Sequence, residues 1–222
     1  PKFIHMRYKN DKAQRKIAII GKGICFDSGG LDLKPPSSML NMKDDMSAAG
    51  SVLAIMSVIK ELKPNCEVHG LIAACENMPG CSAYKPGDIL TAKNGKTIEV
   101  DNTDAEGRLT LADALCYACE LGVDEVIDMA TLTGACVVAL GNTASGIMGN
   151  HQSMIDKLIK CANAGGEKMW QLPMFEEYRD SLKSDIADMK NTGSRMGGTQ
   201  IAALFLQNFV KKVHWAHIDI AG

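Results

Sequence analysis

Apolar runs rich in β-branched residues alternate with segments of helical periodicity along most of the chain, and this alternation constrains the fold more than any other feature. The strand-like runs are 16–21, 66–76, 125–134, 143–150 and 214–221, and the helical segments are 47–62, 109–121, 151–163, 175–183 and 198–211. Helices between successive strands are typical of crossover connections, which join parallel neighbours in one sheet. The sequence therefore predicts an α/β fold with a mixed, mostly parallel sheet flanked by helices.

The length and the hydrophobic fraction indicate one domain. With 222 residues, of which 46% are hydrophobic, the chain can bury a sizeable core, and no linker or low-complexity segment interrupts it. We therefore interpret residues 1–222 as one domain. Because the chain begins with Pro1 and stops in a strand-like run, we expect it to be truncated at its C-terminal end.

The charge balance and the cysteines argue against several classes of protein. A formal net charge of −2 gives no basic surface for nucleic acid or an anionic membrane, and no apolar run is long enough to span a bilayer. The eight cysteines come with neither a signal peptide nor regular spacing, which favours reduced thiols and a cytoplasmic protein. Cys116 and Cys119 lack a second pair, which disfavours a zinc site there.

Two glycine-rich fingerprints of nucleotide binding fail in the segment 21–30. In GKG (21–23) the lysine precedes the second glycine, and no Ser or Thr follows it as a P-loop requires. Phe26 occupies a glycine position of the dinucleotide-binding motif. Neither a phosphate loop nor a dinucleotide site is predicted.

Four acids lie in glycine-rich or apolar surroundings, where an unpaired carboxylate is costly; they are Asp27, Asp45, Asp104 and Glu106. Divalent cations neutralise such groups, and four carboxylates suit two ions that share bridging ligands. Asp27 follows a predicted strand and the pair at 104 and 106 precedes a helix, so both belong to the edge where open α/β sheets build ligand sites. The five histidines are scattered and are not predicted as ligands.

The run NTDAEGR (102–108) places two acids and one arginine at alternate positions. Alternating charges are most often a solvated edge strand or a turn, and for this run alone that interpretation stays open. If the run is extended, the alternation directs Asp104, Glu106 and Arg108 to one side of the chain. The three side chains would then face a common ligand.

Four segments carry the charged residues of interest: GKGICFDSGGLDLK (21–34), MKDDMSAAG (42–50), NTDAEGRLTLADAL (102–115) and TLTGA (131–135). Together they resemble the catalytic domain of the cytosolic leucyl aminopeptidases, the M17 metallopeptidases, over essentially the whole chain. The resemblance implies a phosphorylase/hydrolase-like fold in which residues 1–222 are an incomplete catalytic domain, without the separate N-terminal domain of the family. DMSAAGSV (45–52) replaces a Gly-Gly-Ala run of many relatives but retains Asp45.

The resemblance implies a site for two divalent ions, Zn²⁺, Mn²⁺ or Mg²⁺. Asp27 and Glu106 would bridge both ions. Lys22 and Asp45 would complete the tight site, and Asp104 the exchangeable one. A lysine ligand must lose its proton, which burial and an adjacent dication favour. From the residues alone, a cation that balances Asp27 and Asp45 is the commoner role for Lys22.

The resemblance also implies the reaction. A water or hydroxide bridging the two metals would attack the peptide carbonyl, and only the N-terminal residue, leucine or another apolar one, would be removed. Lys34 would stabilise the oxyanion. Arg108 would hold a bicarbonate that shuttles the proton, in an anion site completed by Ala105 and by Gly107, whose lack of a side chain lets the backbone approach the anion.

Substrate contacts and assembly follow from the same resemblance. Met42, Thr131 and Gly134 match positions that line the first-residue pocket, and Leu132 offers backbone groups, although Met42 could equally be ordinary packing. The implied protein is a cytoplasmic homo-hexamer that acts on peptides, with neither membrane nor nucleic acid as a partner. Two alternatives stay open: another dinuclear hydrolase of related fold, which would use histidines rather than the two lysines, and a structural or DNA-binding role.

Overall fold

The computed structural model describes residues 1–222. Its ten strands are β1 (Lys2–Tyr8), β2 (Lys16–Asp27), β3 (Glu67–Asn77), β4 (Ile89–Thr91), β5 (Thr97–Glu99), β6 (Glu125–Ala130), β7 (Ser145–Gly149), β8 (Met169–Gln171), β9 (Met189–Lys190) and β10 (His214–Asp219). Its six α-helices are α1 (Pro36–Met39), α2 (Ser47–Leu62), α3 (Glu106–Glu120), α4 (Gly134–Leu140), α5 (Gln152–Gly165) and α6 (Gly198–Gln207). Short 3-10 helices cover Met42–Asp44 and Glu176–Leu182.

Seven strands form one large sheet in the order β1-β3-β2-β6-β10-β7-β8. The pairs β3–β2, β2–β6, β6–β10 and β7–β8 are parallel, whereas β1–β3 and β10–β7 are antiparallel. A small second sheet has the order β4-β5-β9. These pairings confirm the predicted α/β fold with a mixed, mostly parallel sheet.

Helices cover both faces of the large sheet. Successive side chains of a strand point to opposite faces, so neighbouring residues of a strand pack against different helices. Trp215 of β10 packs on one face in the cluster that contains Leu111 of α3 and Phe205 of α6. The next residue, Ala216, packs on the other face with Met154 of α5. Burial on both faces explains why the central strands are nearly continuous apolar runs in the sequence.

Several predicted bounds differ from those of the structure. The strand predicted over 125–134 ends at Ala130, and α4 begins at Gly134, where the Thr133 hydroxyl accepts a hydrogen bond from the backbone N–H of Cys136 at 3.1 Å. The helix predicted over 175–183 is a 3-10 helix, and α6 ends at Gln207 rather than at 211. β1, α4 and the small sheet were not predicted.

All eight cysteines are free thiols in the structure. Cys116 and Cys136 are buried, whereas Cys25 is exposed. No helix combines the length and the apolar character needed to cross a membrane.

Candidate active site

The predicted residues converge at the carboxyl ends of three parallel strands. β2 carries Lys22 and ends at Asp27, β3 ends at Asn77, and β6 leads into Thr131. A cavity of about 1030 Å³ opens there. Its walls include all the proposed metal ligands except Glu106, all the proposed substrate and catalytic residues, and Ala105: Lys22, Asp27, Lys34, Met42, Asp45, Asp104, Ala105, Arg108, Thr131, Leu132 and Gly134.

Three carboxylates meet below this cavity. Asp27, Asp45 and Glu106 are each at most 5% exposed, and each offers one oxygen atom within 4.8 Å of the other two. They come from the end of β2, the residue after the 3-10 helix at 42–44, and the first position of α3. The tertiary structure therefore brings together acids that are far apart in the sequence.

Lys22 lies between two of these acids. Its Nζ is 2.8 Å from Asp45 Oδ1 and 3.0 Å from Glu106 Oε1, and it donates a hydrogen bond to the Thr131 carbonyl at 2.9 Å. Burial opposes the charged form of Lys22, but the two carboxylates outweigh it and raise the pKa of the amine. In this arrangement Lys22 is an ammonium group that balances charge, so service as a metal ligand requires it to give up a proton.

Lys34 makes the corresponding contact on the other side of the cluster. Its Nζ is 2.8 Å from Asp27 Oδ2 and 2.6 Å from Asp104 Oδ1. Burial opposes the charge of Lys34, but hydrogen bonds to Asp104 and Asp27 raise its pKa above the ordinary value. For Asp104, burial raises the pKa of the carboxyl group although Lys34 acts in the opposite direction. Lys34 is therefore a cation at neutral pH.

Asp45 has one carboxylate oxygen that the protein does not satisfy. Its Oδ1 accepts from Thr131 Oγ1 at 2.8 Å, whereas Oδ2 is buried and has no hydrogen-bond partner. Burial raises the pKa of this carboxyl group to about 6, although Lys22 opposes the shift. Together with the two neighbouring carboxylates, this buried and unpartnered oxygen forms a set of oxygen ligands that suits a hard divalent cation. The residues present thus fit a divalent metal.

The 102–108 run is not extended, so the condition under which its alternate charged residues would face one side of a strand is not met. α3 begins at Glu106, so Glu106 and Arg108 lie in its first turn and Asp104 lies in the preceding turn. Arg108 Nη1 donates to the Asn191 carbonyl at 2.8 Å, and its guanidinium lies 6.0 Å from the centre of the Phe205 ring. Its Nε is buried without a partner, and burial lowers the pKa of the guanidinium to about 10, which leaves it charged at neutral pH.

Gly107 has a clear steric role. A Cβ atom at this position would lie 2.5 Å from Cε and 2.8 Å from Nζ of Lys22. Non-bonded atoms do not approach so closely, so any side chain here would displace the lysine from Asp45 and Glu106. The contact that the structure gives to Gly107 is therefore with Lys22.

The four predicted substrate residues all line the cavity. Met42 is half-buried and packs against none of the apolar clusters of the core, which favours a cavity role over ordinary packing. The backbone N–H of Leu132 donates to Asp219 Oδ1 at 3.2 Å, and Asp219 Oδ2 accepts from the Thr133 hydroxyl at 2.6 Å. Asp219 thus orders the 131–134 segment and occupies one backbone group of Leu132.

Three supporting residues were missed by sequence reasoning. Asn77 donates to Asp27 and lies within hydrogen-bond distance of Glu106, Tyr84 donates to the Thr103 carbonyl at 2.5 Å, and Asn191 accepts from the backbone N–H of Asp101 at 2.8 Å. Asn77 ends a strand at the same edge as Asp27, which is a signal that could have found it. For Tyr84 and Asn191 the sequence contains no such signal.

The fold and the site together define a class of protein. It is an α/β protein with a buried site of acids and lysines at the carboxyl ends of its parallel strands. The sequence matches the "Cytosol aminopeptidase family, catalytic domain" over residues 1–222. The chain belongs to this family.

Curated relatives agree with this assignment. "Probable cytosol aminopeptidase" from Gloeobacter violaceus (strain ATCC 29082 / PCC 7421) is 58% identical over 224 residues, which cover 100% of this chain and 44% of that protein. Proteins with the same name from Persephonella marina (strain DSM 14350 / EX-H1) and Synechocystis sp. (strain ATCC 27184 / PCC 6803 / Kazusa) are 57% and 56% identical, over 100% of this chain and 45% of each relative. The chain thus spans somewhat less than half the length of these relatives.

Proposed function

We propose that the protein containing this chain is a metal-dependent aminopeptidase that removes the N-terminal residue of peptides, with leucine and other apolar residues preferred. The observation that carries the proposal is the convergence of three buried carboxylates with Lys22 at one cavity, in a chain of the cytosol aminopeptidase family. Residues 1–222 would be most of its catalytic domain. The names of the relatives support a cytoplasmic location, and we propose a homo-hexamer for the full-length protein.

Lys22, Asp27, Asp45, Asp104 and Glu106 would hold two divalent ions, Zn²⁺, Mn²⁺ or Mg²⁺. When bound, such ions supply Lewis acidity and lower the pKa of coordinated water towards neutrality. The orphaned Oδ2 of Asp45 supports this donor set, because a buried carboxylate oxygen without a partner is costly unless a cation meets it.

Lys34 would stabilise the negative charge that develops on the carbonyl oxygen of the substrate. It lines the cavity as an ammonium group, held between Asp27 and Asp104. With divalent ions at Asp27 and Asp104, Lys34 would be held less strongly by these two carboxylates, and its ammonium could then donate to the oxyanion. Preorganised donors of this kind contribute more to catalysis in a site that excludes water.

Arg108 would hold a bicarbonate that moves the proton from the attacking water. A planar guanidinium pairs with two oxygens of a carbonate-like anion, and the Nε of Arg108 is buried with no partner in the protein. The backbone N–H of Gly107, in the first turn of α3, would contribute to the anion site, because the first N–H groups of a helix have no partner within it. Ala105 would line this site, and its own N–H donates to the Asn102 carbonyl at 3.3 Å.

Met42, Thr131 and Gly134 would form the wall that contacts the first side chain of the substrate. The N–H of Leu132 already bonds Asp219, so its carbonyl is the backbone group left for the substrate amide. This wall is largely uncharged, which suits an apolar first residue.

The decisive assay uses the full-length protein after chelation and return of Mn²⁺ or Zn²⁺. We expect cleavage of leucyl amides that disappears on chelation and returns with metal. N-acetylated leucyl amides should not be cleaved, because an aminopeptidase recognises the free N-terminal amine of its substrate. Cleavage of the blocked substrate at an equal rate would rule out an exopeptidase.

Metal affinity should fall as the pH decreases through about 6. The pKa of Asp45 is raised to about 6, so this carboxyl group gains a proton as the pH falls through that value, and the cation must then compete with the proton. Binding should also release protons from Lys22, whose pKa is raised. Calorimetric titration of the metal-free, full-length protein with Mn²⁺ at several pH values, in buffers of different ionisation enthalpy, measures both effects. An affinity that does not change with pH would contradict this expectation.

A further inference from the structure

The side-chain amide of Asn77 lies between two of the acids that would hold metal. Asn77 is 4% exposed and ends β3. Its Nδ2 donates to Asp27 Oδ1 at 2.8 Å and to the Thr103 carbonyl at 3.0 Å, and it lies 3.3 Å from Glu106 Oε2. One NH₂ group thus contacts three acceptors from the end of β2 and from the segment that leads into α3.

The neighbours of Asn77 fix the orientation of this amide. Its backbone carbonyl accepts from both the backbone N–H and the hydroxyl of Ser28, at 2.9 and 2.7 Å. Its Oδ1 faces Gly30, where an added Cβ would lie only 3.0 Å from that oxygen. Because three acceptors surround Nδ2, the hydrogen-bond network assigns the nitrogen to the side of the carboxylates.

The oxygens of the two carboxylates have divided roles. Asp27 contacts Asn77 with Oδ1 and Lys34 with Oδ2, whereas Glu106 contacts Asn77 with Oε2 and Lys22 with Oε1. A lysine can be displaced or can lose its proton when a cation arrives. The neutral amide of Asn77 has no proton to lose at ordinary pH, so its contacts with both acids do not depend on its own charge state.

We propose that Asn77 is a positioning residue that sets the separation of Asp27 and Glu106 and thereby the affinity of the site for divalent ions. The inference rests on the proposed function. Hydrogen bonds to the ligands of a metal orient them, and their loss typically weakens metal binding about 10- to 100-fold. No other side chain donates to both acids.

Two substitutions test this role in the full-length protein. Asn77→Leu keeps the volume of the side chain but removes both donors, and Asn77→Ser leaves room for water while its hydroxyl is too short to span the two acids. After chelation, calorimetric titration with Mn²⁺ should give affinities about 10- to 100-fold below wild type for Asn77→Leu, and a smaller loss for Asn77→Ser.

A matched control separates positioning from simple loss of stability. Asn208 is half-buried, and its amide donates to the Leu204 carbonyl at 2.9 Å near the end of α6. Asn208→Ala should lower the melting temperature of the metal-free protein without changing Mn²⁺ affinity. If wild type binds two Mn²⁺ ions and both Asn77 variants bind Mn²⁺ as tightly as wild type does, the proposal that Asn77 positions the two acids is wrong. If wild type binds no Mn²⁺, the metal centre of the proposed function fails, and the role of Asn77 fails with it.

Discussion

The Lys22→Arg variant of the full-length protein is expected to lose tight binding of one divalent ion. If Lys22 binds metal, it does so through the lone pair of a neutral amine, and a guanidinium stays protonated in proteins and offers no such pair. The loss should exceed about 100-fold in affinity, because disturbing only the outer hydrogen bonds of a metal site costs about 10- to 100-fold. Elemental analysis gives the stoichiometry, and calorimetry with Mn²⁺ gives the affinity.

The structure makes this substitution discriminating, because Lys22 is held as an ammonium between Asp45 and Glu106. If its role is only charge balance, Lys22→Arg should retain two tightly bound ions, and so should Lys22→Met, because loss of a competing cation leaves both acids free for metal. If Lys22 is a ligand, both variants should lose the tight site. Lys93→Arg is the control, because it makes the same lysine-to-arginine change at an exposed ion pair with Glu120. Retention of two tightly bound ions by Lys22→Arg would show that the ligand role is wrong.

The Lys34→Ala variant is expected to lower kcat by about a hundredfold or more while two metal ions remain bound. Removal of one oxyanion donor typically costs about 10²- to 10³-fold in kcat. Lys34 contacts Asp27 and Asp104 through its ammonium group, so its removal takes away a cation that competes with metal for these acids. Metal affinity should therefore stay the same or increase. Steady-state kinetics on a leucyl amide and metal analysis of the same preparation measure the two quantities.

Lys85→Ala provides the control for loss of a lysine, because Lys85 is exposed, forms an ion pair with Asp88 and does not line the cavity. This variant should retain the kcat of wild type. Loss of metal from Lys34→Ala would contradict the oxyanion role and would indicate that Lys34 holds the two acids in place. A kcat equal to that of wild type would show that Lys34 takes no part in the reaction.

Much of the fold follows from local patterns in the chain. The central strands and the long helices have hydrophobic patterns that persist over many residues, and β3, α2 and α5 lie close to their predicted positions. β2 begins where predicted but extends to Asp27 instead of ending at residue 21. The misses have local causes. β1 is an edge strand that is largely exposed, so burial leaves little pattern in its sequence. α4 is a short apolar run directly after a strand, and such a run does not distinguish helix from strand.

The sequence by itself determined the fold class, the family and the identity of the charged residues at the site. These properties depend on local periodicity and on motifs whose residues are close together in the chain. It also placed Lys22 and Asp27 after a strand, near the edge formed by the carboxyl ends of the parallel strands, although β2 runs through Lys22 and ends at Asp27.

Only the tertiary structure decided which atoms meet at that edge. Lys22 and Thr131, or Arg108 and Asn191, come into contact because strand pairing and helix packing bring distant segments together, and no local pattern records those distances. The same packing starts α3 at Glu106, places Gly107 against the lysine, and puts the amide of Asn77 between two carboxylates. Buried charges require partners at hydrogen-bond distance. The packed fold, rather than residue order, sets these distances to within a few tenths of an ångström.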